Sequence, residues 1–211
     1  MAAAPRLYLI TDRHATLGRP LPQVVAAALE GAAGRAYDVA VQLREKDLSG
    51  RALWELARDL RAVTAAAGAR LFINDRIDVA MAVGADGVHL GGRSLVVRDV
   101  HGLSPHLSIG VSTHARAEVE AAAAAGADFV VFGPVFATPS KPGFHTGLDS
   151  LKEVAAIGLP VLALGGVNEK NARSCVAAGA AGLACIRSVM SATKIPETVS
   201  KLLACVEAIE T

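Results

Sequence analysis

The stretch AAGADFVVF, Ala124 to Phe132, reads as the end of a helix, a Gly-Ala turn and then a buried strand. Glycine just past a helix C-terminus supplies the left-handed backbone that stops the helix and redirects the chain. The stretches AVGADGVHL, from Ala82, and AAGAAGLACI, from Ala177, repeat the pattern. A recurrent helix end, Gly-Ala and strand marks a repeated structural unit.

Working outward from these echoes, short β-rich runs alternate with Ala-rich helical stretches. The expected strands are Leu7–Ile10, Val39–Leu43, Leu71–Ile73, Gly87–Leu90, Leu107–Val111, Phe129–Phe132, Val161–Leu164 and Gly182–Ile186. Helices are expected over Leu21–Arg35, Ser49–Ala67, Ile77–Val83, Val96–Gly102, Ala115–Ala125, Leu148–Ile157, Glu169–Ala178 and Pro196–Ile209. Leu53, Leu56, Leu60 and Val63 recur at helical spacing. Such alternation implies parallel strands joined by crossover helices. With eight of each, the expected fold is one compact (β/α)8 TIM barrel spanning residues 1–211 as a single domain. The structural rival is a doubly wound open sheet, but no GxGxxG follows the first strand.

Composition narrows the class. Of 211 residues, 52% are hydrophobic and only 4% aromatic, an Ala/Val/Leu excess suited to tightly layered α/β structure. A net charge of +1 favours neither nucleic acid nor a membrane surface as partner. No apolar run reaches the length of a bilayer span. The N-terminal MAAAPRLYLITDR lacks the apolar core of a signal peptide, so a cytoplasmic location is expected. Cys175, Cys185 and Cys205 have neither CxxC spacing nor an even count, and read as reduced core residues.

In a barrel of this kind the site lies at the C-terminal ends of the strands. Strand two runs into Gln42-Leu-Arg44-Glu45-Lys46, where Arg44 and Lys46 suit an anionic ligand, or else pair with Glu45 or a neighbouring loop. Strand three ends in Asn74-Asp75-Arg76; Asp75 is either a Mg2+ ligand or the cap of the next helix. After strand four come His89 and the loop Gly91-Gly92-Arg93-Ser94, with His89 either catalytic or structurally hydrogen-bonded. Strand five gives Ser112-Thr-His114, a polar site or a helix N-cap. Strand six opens onto Thr138-Pro-Ser140-Lys141, which gathers one cation and two hydroxyl donors for an anion such as pyrophosphate. Gly165-Gly166 after strand seven, with Ile186 and Ser188 after strand eight, point to a phosphate cradle of backbone N–H groups.

The blocks LYLITDR, VQLREKDLSG, INDRIDVA, ADGVHLGG, IGVSTH, GADFVVFGPVFATPSK, LALGGVN and AAGAAGLACIRSVM, in that order, resemble the thiamine phosphate synthase and TenI superfamily over nearly the whole chain. The resemblance implies a transferase of thiamine biosynthesis that joins hydroxymethylpyrimidine diphosphate to thiazole phosphate, releasing pyrophosphate with Mg2+. It implies that Gln42, Arg44, Lys46 and Asn74 surround the pyrimidine and diphosphate, with Asp75 a Mg2+ ligand. Ser112 and Lys141 would lie near the pyrophosphate, and Thr138 and Ser140 would hold the thiazole substrate. Gly166, Ile186 and Ser188 would cradle the thiazole phosphate. In one respect the chain departs from the synthases: where they continue the fourth block as H-x-G-Q-x-D, with a second Mg2+ aspartate, Gly92 and Ser94 stand here. TenI-like thiazole tautomerases are the alternative, but their F-G-H-V-F histidine corresponds to Pro134. A tautomerase built on this chain would draw its acid or base from His89 or His114. A non-catalytic regulator that binds thiazole or thiamine phosphates is the third reading.

Overall fold

The computed structural model describes residues 3–32, 34–138 and 143–207. Eight parallel strands close into a barrel in chain order: β1 Leu7–Ile10, β2 Val39–Leu43, β3 Arg70–Asn74, β4 Gly87–Leu90, β5 Ser108–Thr113, β6 Phe129–Phe132, β7 Val161–Leu164 and β8 Gly182–Cys185. The ring is sealed where Leu7 pairs with Val39 on one side and Leu183 on the other. Around it run α1 Leu21–Glu30, α2 Gly50–Ala67, α3 Ile77–Val83, α4 Val97–Leu103, α5 Arg116–Ala125, α6 Gly147–Ala155, α7 Ala172–Ala177, α8 Arg187–Met190 and α9 Ile195–Val206. This is the expected (β/α)8 barrel and excludes the open sheet.

The echoed turns explain why the units repeat. Ala85, Ala127 and Ala180 each donate a backbone N–H five residues back, to the carbonyls of Ala80, Ala122 and Cys175. That bond closes a helix end on its left-handed glycine. Two copies add an aspartate: Asp86 accepts from the Leu71 N–H and Asp128 from the Ile109 N–H, both at 2.7 Å. Each carboxylate thereby ties the start of one strand to its neighbour.

Strand alternation divides the core in two. Leu7, Leu9, Val39, Val41 and their equivalents face the helices. Tyr8, Ile10, Ala40, Phe72, Phe129, Val131, Leu162 and Ala184 fill the barrel. Tyr8, Phe72 and Phe129 meet edge to face with centroids 5.3–5.5 Å apart, the favoured arrangement for rings with a negative face and positive edge. Gly110 has no side chain because Phe129 and His89 occupy its space; a Cβ there would lie 2.8 Å from the His89 Nδ1.

Most helix bounds fall within two residues of expectation, and the expected end of the last helix, Ile209, lies outside the described residues; three helices differ in kind or extent. α1 stops at Glu30, not Arg35; the Gly31 backbone lies against that of Pro196 with no room for a Cβ, and Arg35 pairs with Asp38 and Glu207. α7 starts at Ala172, not Glu169: the side chains of Asn168 and Asn171 bond local backbone and compete with the helix. α8 is a short helix within what reads as the connection from strand eight. The three cysteines are free and buried, as expected. Among the described residues no helix is long and apolar enough to cross a membrane.

Candidate active site

The C-terminal ends of β2 to β5 form one polar arc. In register, Leu43 pairs with Ile73, Asn74 with His89, and His89 with Gly110, two residues before Ser112. Gln42, Arg44, Lys46, Asn74, Asp75, His89 and Ser112 thus belong to adjoining strand ends.

At the floor of this arc, Gln42 is fully buried with both amide atoms lacking a hydrogen-bond partner. A buried amide left open costs free energy unless something fills its place. The Tyr8 hydroxyl is close enough for the amide to counter part of its raised pKa, without a hydrogen bond of good geometry. Tyr8 Oη lies 3.3 Å from His89 Nδ1, and His89 Nε2 lies 2.8 Å from Ser112 Oγ. Burial and then the Arg44 charge push the His89 pKa down to about 3, so the ring is neutral. Burial raises that of Tyr8, which keeps its proton.

At the rim the charges are cationic. Glu45 does not pair with Arg44 or Lys46. It points into the wall, 6% exposed, accepting from the Thr11 hydroxyl at 2.7 Å, the Arg13 backbone N–H at 3.1 Å and the Arg13 guanidinium at 3.2 Å. Thr11 Oγ1 in turn accepts the Arg44 N–H at 2.9 Å. Among the described residues neither Arg44, Lys46 nor Arg93 has a salt-bridge partner. The Lys46 ammonium is destabilised first by Arg44, then by burial and by Arg93, and only Asp75 opposes this. Positive charge packed this closely invites an anion. A hollow of about 310 Å3 lies beside it, lined by Asp12, His14, Arg44, Glu45, Lys46 and Asp47. A wider apolar depression of about 730 Å3, lined by Tyr37, Gly68 and their neighbours, sits at the opposite end of the strands and has none of this chemistry.

Asp75 is not a helix cap. The cap position of α3 is Arg76, with no side-chain cap bond. Asp75 instead has φ 66°, and the Arg76 N–H reaches over it to the Asn74 carbonyl at 2.8 Å. That tight turn is strained for a residue with a side chain. Its carboxylate is exposed, facing the cationic rim. The cap reading also fails for strand five. Ala115 is the α5 cap residue, without a side-chain bond, and Glu118 reaches back to the His114 N–H at 2.6 Å. His114 directs Nδ1 to the Gly133 carbonyl.

Across the mouth lie Gly165, Gly166, Ile186 and Ser188. The two glycines have φ 97° and 66°. A Cβ on Gly165 would collide with Pro134, and one on Gly166 with Phe136, because the loop after β6 crosses them through bonds from Val135 and Phe136 to Leu164 and Gly165. Packing of that loop therefore demands these glycines, independently of any ligand. The Gly166 carbonyl is held by both Asn168 and Asn171 side-chain amides, while its N–H has no acceptor among the described residues. Ile186 and Ser188 sit where β8 turns into α8, and the Ser188 hydroxyl partly offsets the burial that raises Cys185 to about 11. Thr138 is half-buried. Ser140 and Lys141 lie outside the described residues.

Sequence reading missed Tyr8, Arg93 and the Glu45 anchor. Tyr8 was findable: its place in β1 faces the interior, and a buried phenol needs a partner.

Among known proteins, the family model described as thiamine monophosphate synthase matches residues 7–189. A putative thiamine-phosphate synthase of Geobacter sulfurreducens is 50% identical, covering 94% of this chain and 92% of that protein. The thiamine-phosphate synthase of Roseiflexus castenholzii is 44% identical, covering 93% and 86%. The solved thiamine phosphate pyrophosphorylase of Pyrococcus furiosus superposes with a TM-score of 0.87 at 35% identity, over 98% of this chain and 97% of that one.

Proposed function

The chain belongs to the thiamine monophosphate synthase family, and on that footing we propose that it joins hydroxymethylpyrimidine diphosphate to thiazole phosphate, yielding thiamine phosphate and pyrophosphate. The observation that carries this reading is the trio Arg44, Lys46 and Arg93, without salt-bridge partners among the described residues, beside a buried amide, Gln42, open there at both its donor and its acceptor. The first suits a diphosphate. The second suits the edge of an aminopyrimidine, which itself offers a donor and an acceptor.

In the reaction the bond from the pyrimidine methylene to the diphosphate oxygen breaks, and its electron pair leaves with pyrophosphate. The thiazole nitrogen supplies the pair for the new C–N bond. Arg44, Lys46 and Ser112 would hold the leaving group, and stabilising charge as it develops is where such a site gains most. Asn74 would orient the pyrimidine. Gly165, Gly166, Ile186 and Ser188 would receive the thiazole phosphate, with Thr138 and Ser140 on the ring and Lys141 bridging toward the pyrophosphate.

Asp75 fits Mg2+ as a lone protein carboxylate, since this ion is commonly held by one or two carboxylates plus substrate phosphates. Its side chain is exposed at the cationic rim. Among the described residues no cluster of three acidic, histidine or cysteine ligands exists, and Ser94 spends its oxygen accepting the Gly91 N–H at 2.8 Å. When bound, Mg2+ would offset charge on the leaving diphosphate. Arg93, one residue before Ser94, brings a positive charge where the resemblance expects a second aspartate nearby.

The coupling moves no proton in its bond-making step, which agrees with a floor whose histidine is neutral and engaged at both ring nitrogens. A tautomerase would need a base. Of the two candidates, His89 is engaged at both ring nitrogens, whereas His114 is bonded through Nδ1 to the Gly133 carbonyl and its Nε2 has no partner among the described residues.

The test is a Mg2+ titration of thiamine phosphate formation by wild type and Lys141→Ala. The reading expects Mg2+-dependent product and a loss of about a hundredfold in turnover for the variant, at unchanged thermal stability. Product formed equally well by the variant would remove Lys141 from the mechanism. Conversion of the thiazole alone would identify a tautomerase.

A further inference from the structure

The buried chain Tyr8–His89–Ser112 crosses the barrel from β1 through β4 to β5 and ends at the mouth. We propose that Tyr8 and His89 are positioning residues: Tyr8 donates to Nδ1 of His89, Nε2–H of His89 donates to Oγ of Ser112, and the Ser112 proton is thereby directed outward to an oxygen of the diphosphate. This rests on the reading that a diphosphate occupies the mouth.

A neutral imidazole has one donor and one acceptor nitrogen, while each hydroxyl can do either. The chain therefore has two polarities. If Ser112 donated to Nε2, it would turn only lone pairs toward the mouth, where Arg44 and Lys46 gather anions. If Nε2–H donates to Ser112, one lone pair is filled and the serine proton is free to meet the anion. The far end permits this polarity. Tyr8 is wholly buried. Its hydroxyl retains its proton and so has one to give to Nδ1.

Packing fixes the ring. Phe129 lies 6.4 Å from His89 and 5.3 Å from Tyr8, centroid to centroid, and the missing Cβ of Gly110 leaves space for Nδ1. His89 itself is 2% exposed, so water does not substitute for either partner.

The experiment uses the full chain labelled with 15N in histidine, whose ring-nitrogen shifts report which atom carries the proton, with His89→Asn assigning the resonances. Protonated Nε2 and acceptor Nδ1, with and without inorganic pyrophosphate, is the expected result, with Tyr8→Phe giving a mixture of tautomers. Protonated Nδ1, or an imidazolium, overturns the proposal. A second arm compares pyrophosphate binding by calorimetry in two variants. His89→Gln places an amide N–H where Nε2 was and should bind within about threefold of wild type. His89→Asn reaches only toward Tyr8 and should bind about tenfold to a hundredfold more weakly, the cost of one hydrogen bond to a charged group. Equal weakening in both, or none in either, contradicts the positioning role. Absence of pyrophosphate binding by wild type would count against the diphosphate reading of the mouth, while the tautomer measurement would still decide the polarity of the chain.

Discussion

The Asp75 N–H donates to the carbonyl of His89 at 2.9 Å while Asp75 itself holds φ at 66°. One bond thus ties the end of β3 to the end of β4 and places the carboxylate that opposes Arg44 and Arg93 in their effect on Lys46.

Strain at this residue predicts a trade of stability for function. Asp75→Gly should unfold at a higher temperature, by about 1 kcal/mol of relieved backbone strain net of the entropy glycine adds to the unfolded chain. It should also lose Mg2+ response. Thermal unfolding and a Mg2+ titration check both. A lower melting temperature contradicts the strain, and an unchanged titration contradicts the metal role.

Glu45 predicts the opposite behaviour. Its carboxylate satisfies the fully buried Thr11 hydroxyl and fastens the loop after β1 to the end of β2. Glu45→Ala should cost about 3 kcal/mol, since it strands buried donors. Urea unfolding should show a lower midpoint at unchanged slope.

Gly165→Ala should destabilise by about 3 kcal/mol, combining a Cβ overlap with Pro134 and a backbone angle of 97°. Gly92→Ala meets open space and serves as the control. Similar unfolding curves for both would refute the packing account of the Gly-Gly pair.

His89 predicts a pH dependence of stability. Its pKa in the fold is about 3, against 6.5 as the ordinary value, so below pH 6.5 the unfolded chain binds a proton that the native state refuses. Stability is therefore full above pH 6.5 and falls as pH decreases toward 3. Between pH 7 and 5 the loss is about 2 kcal/mol. The charged group facing the ring is Arg44, with neutral Tyr8 and Ser112 as its bonded partners. His89→Gln should flatten this slope; an identical slope would assign it elsewhere.

The barrel was legible because glycine caps repeat. Gly84, Gly126 and Gly179 each end a helix and launch a strand, a local signal that needs no tertiary knowledge. The rim was legible for a similar reason: Gln42, Arg44, Lys46 and Asp75 are polar residues where hydrophobic runs stop. What could not be read depends on contacts distant in sequence. Glu45 looks like a partner for its neighbours until strand alternation turns it to Thr11 and Arg13. Tyr8 announces itself as a phenol at an inward position of LYLI, but its partner, His89 across the barrel, is not legible from the sequence. The glycines after β7 suggested a ligand, yet the loop from Pro134 to Phe136 already requires them.

The most direct measurement is phosphorus NMR of wild-type protein given both substrates and Mg2+. Pyrophosphate appearing in equal amounts with thiamine phosphate, and neither without Mg2+, is the predicted result. Thiazole phosphate bound to the protein while the pyrimidine diphosphate stays intact would contradict the coupling reaction.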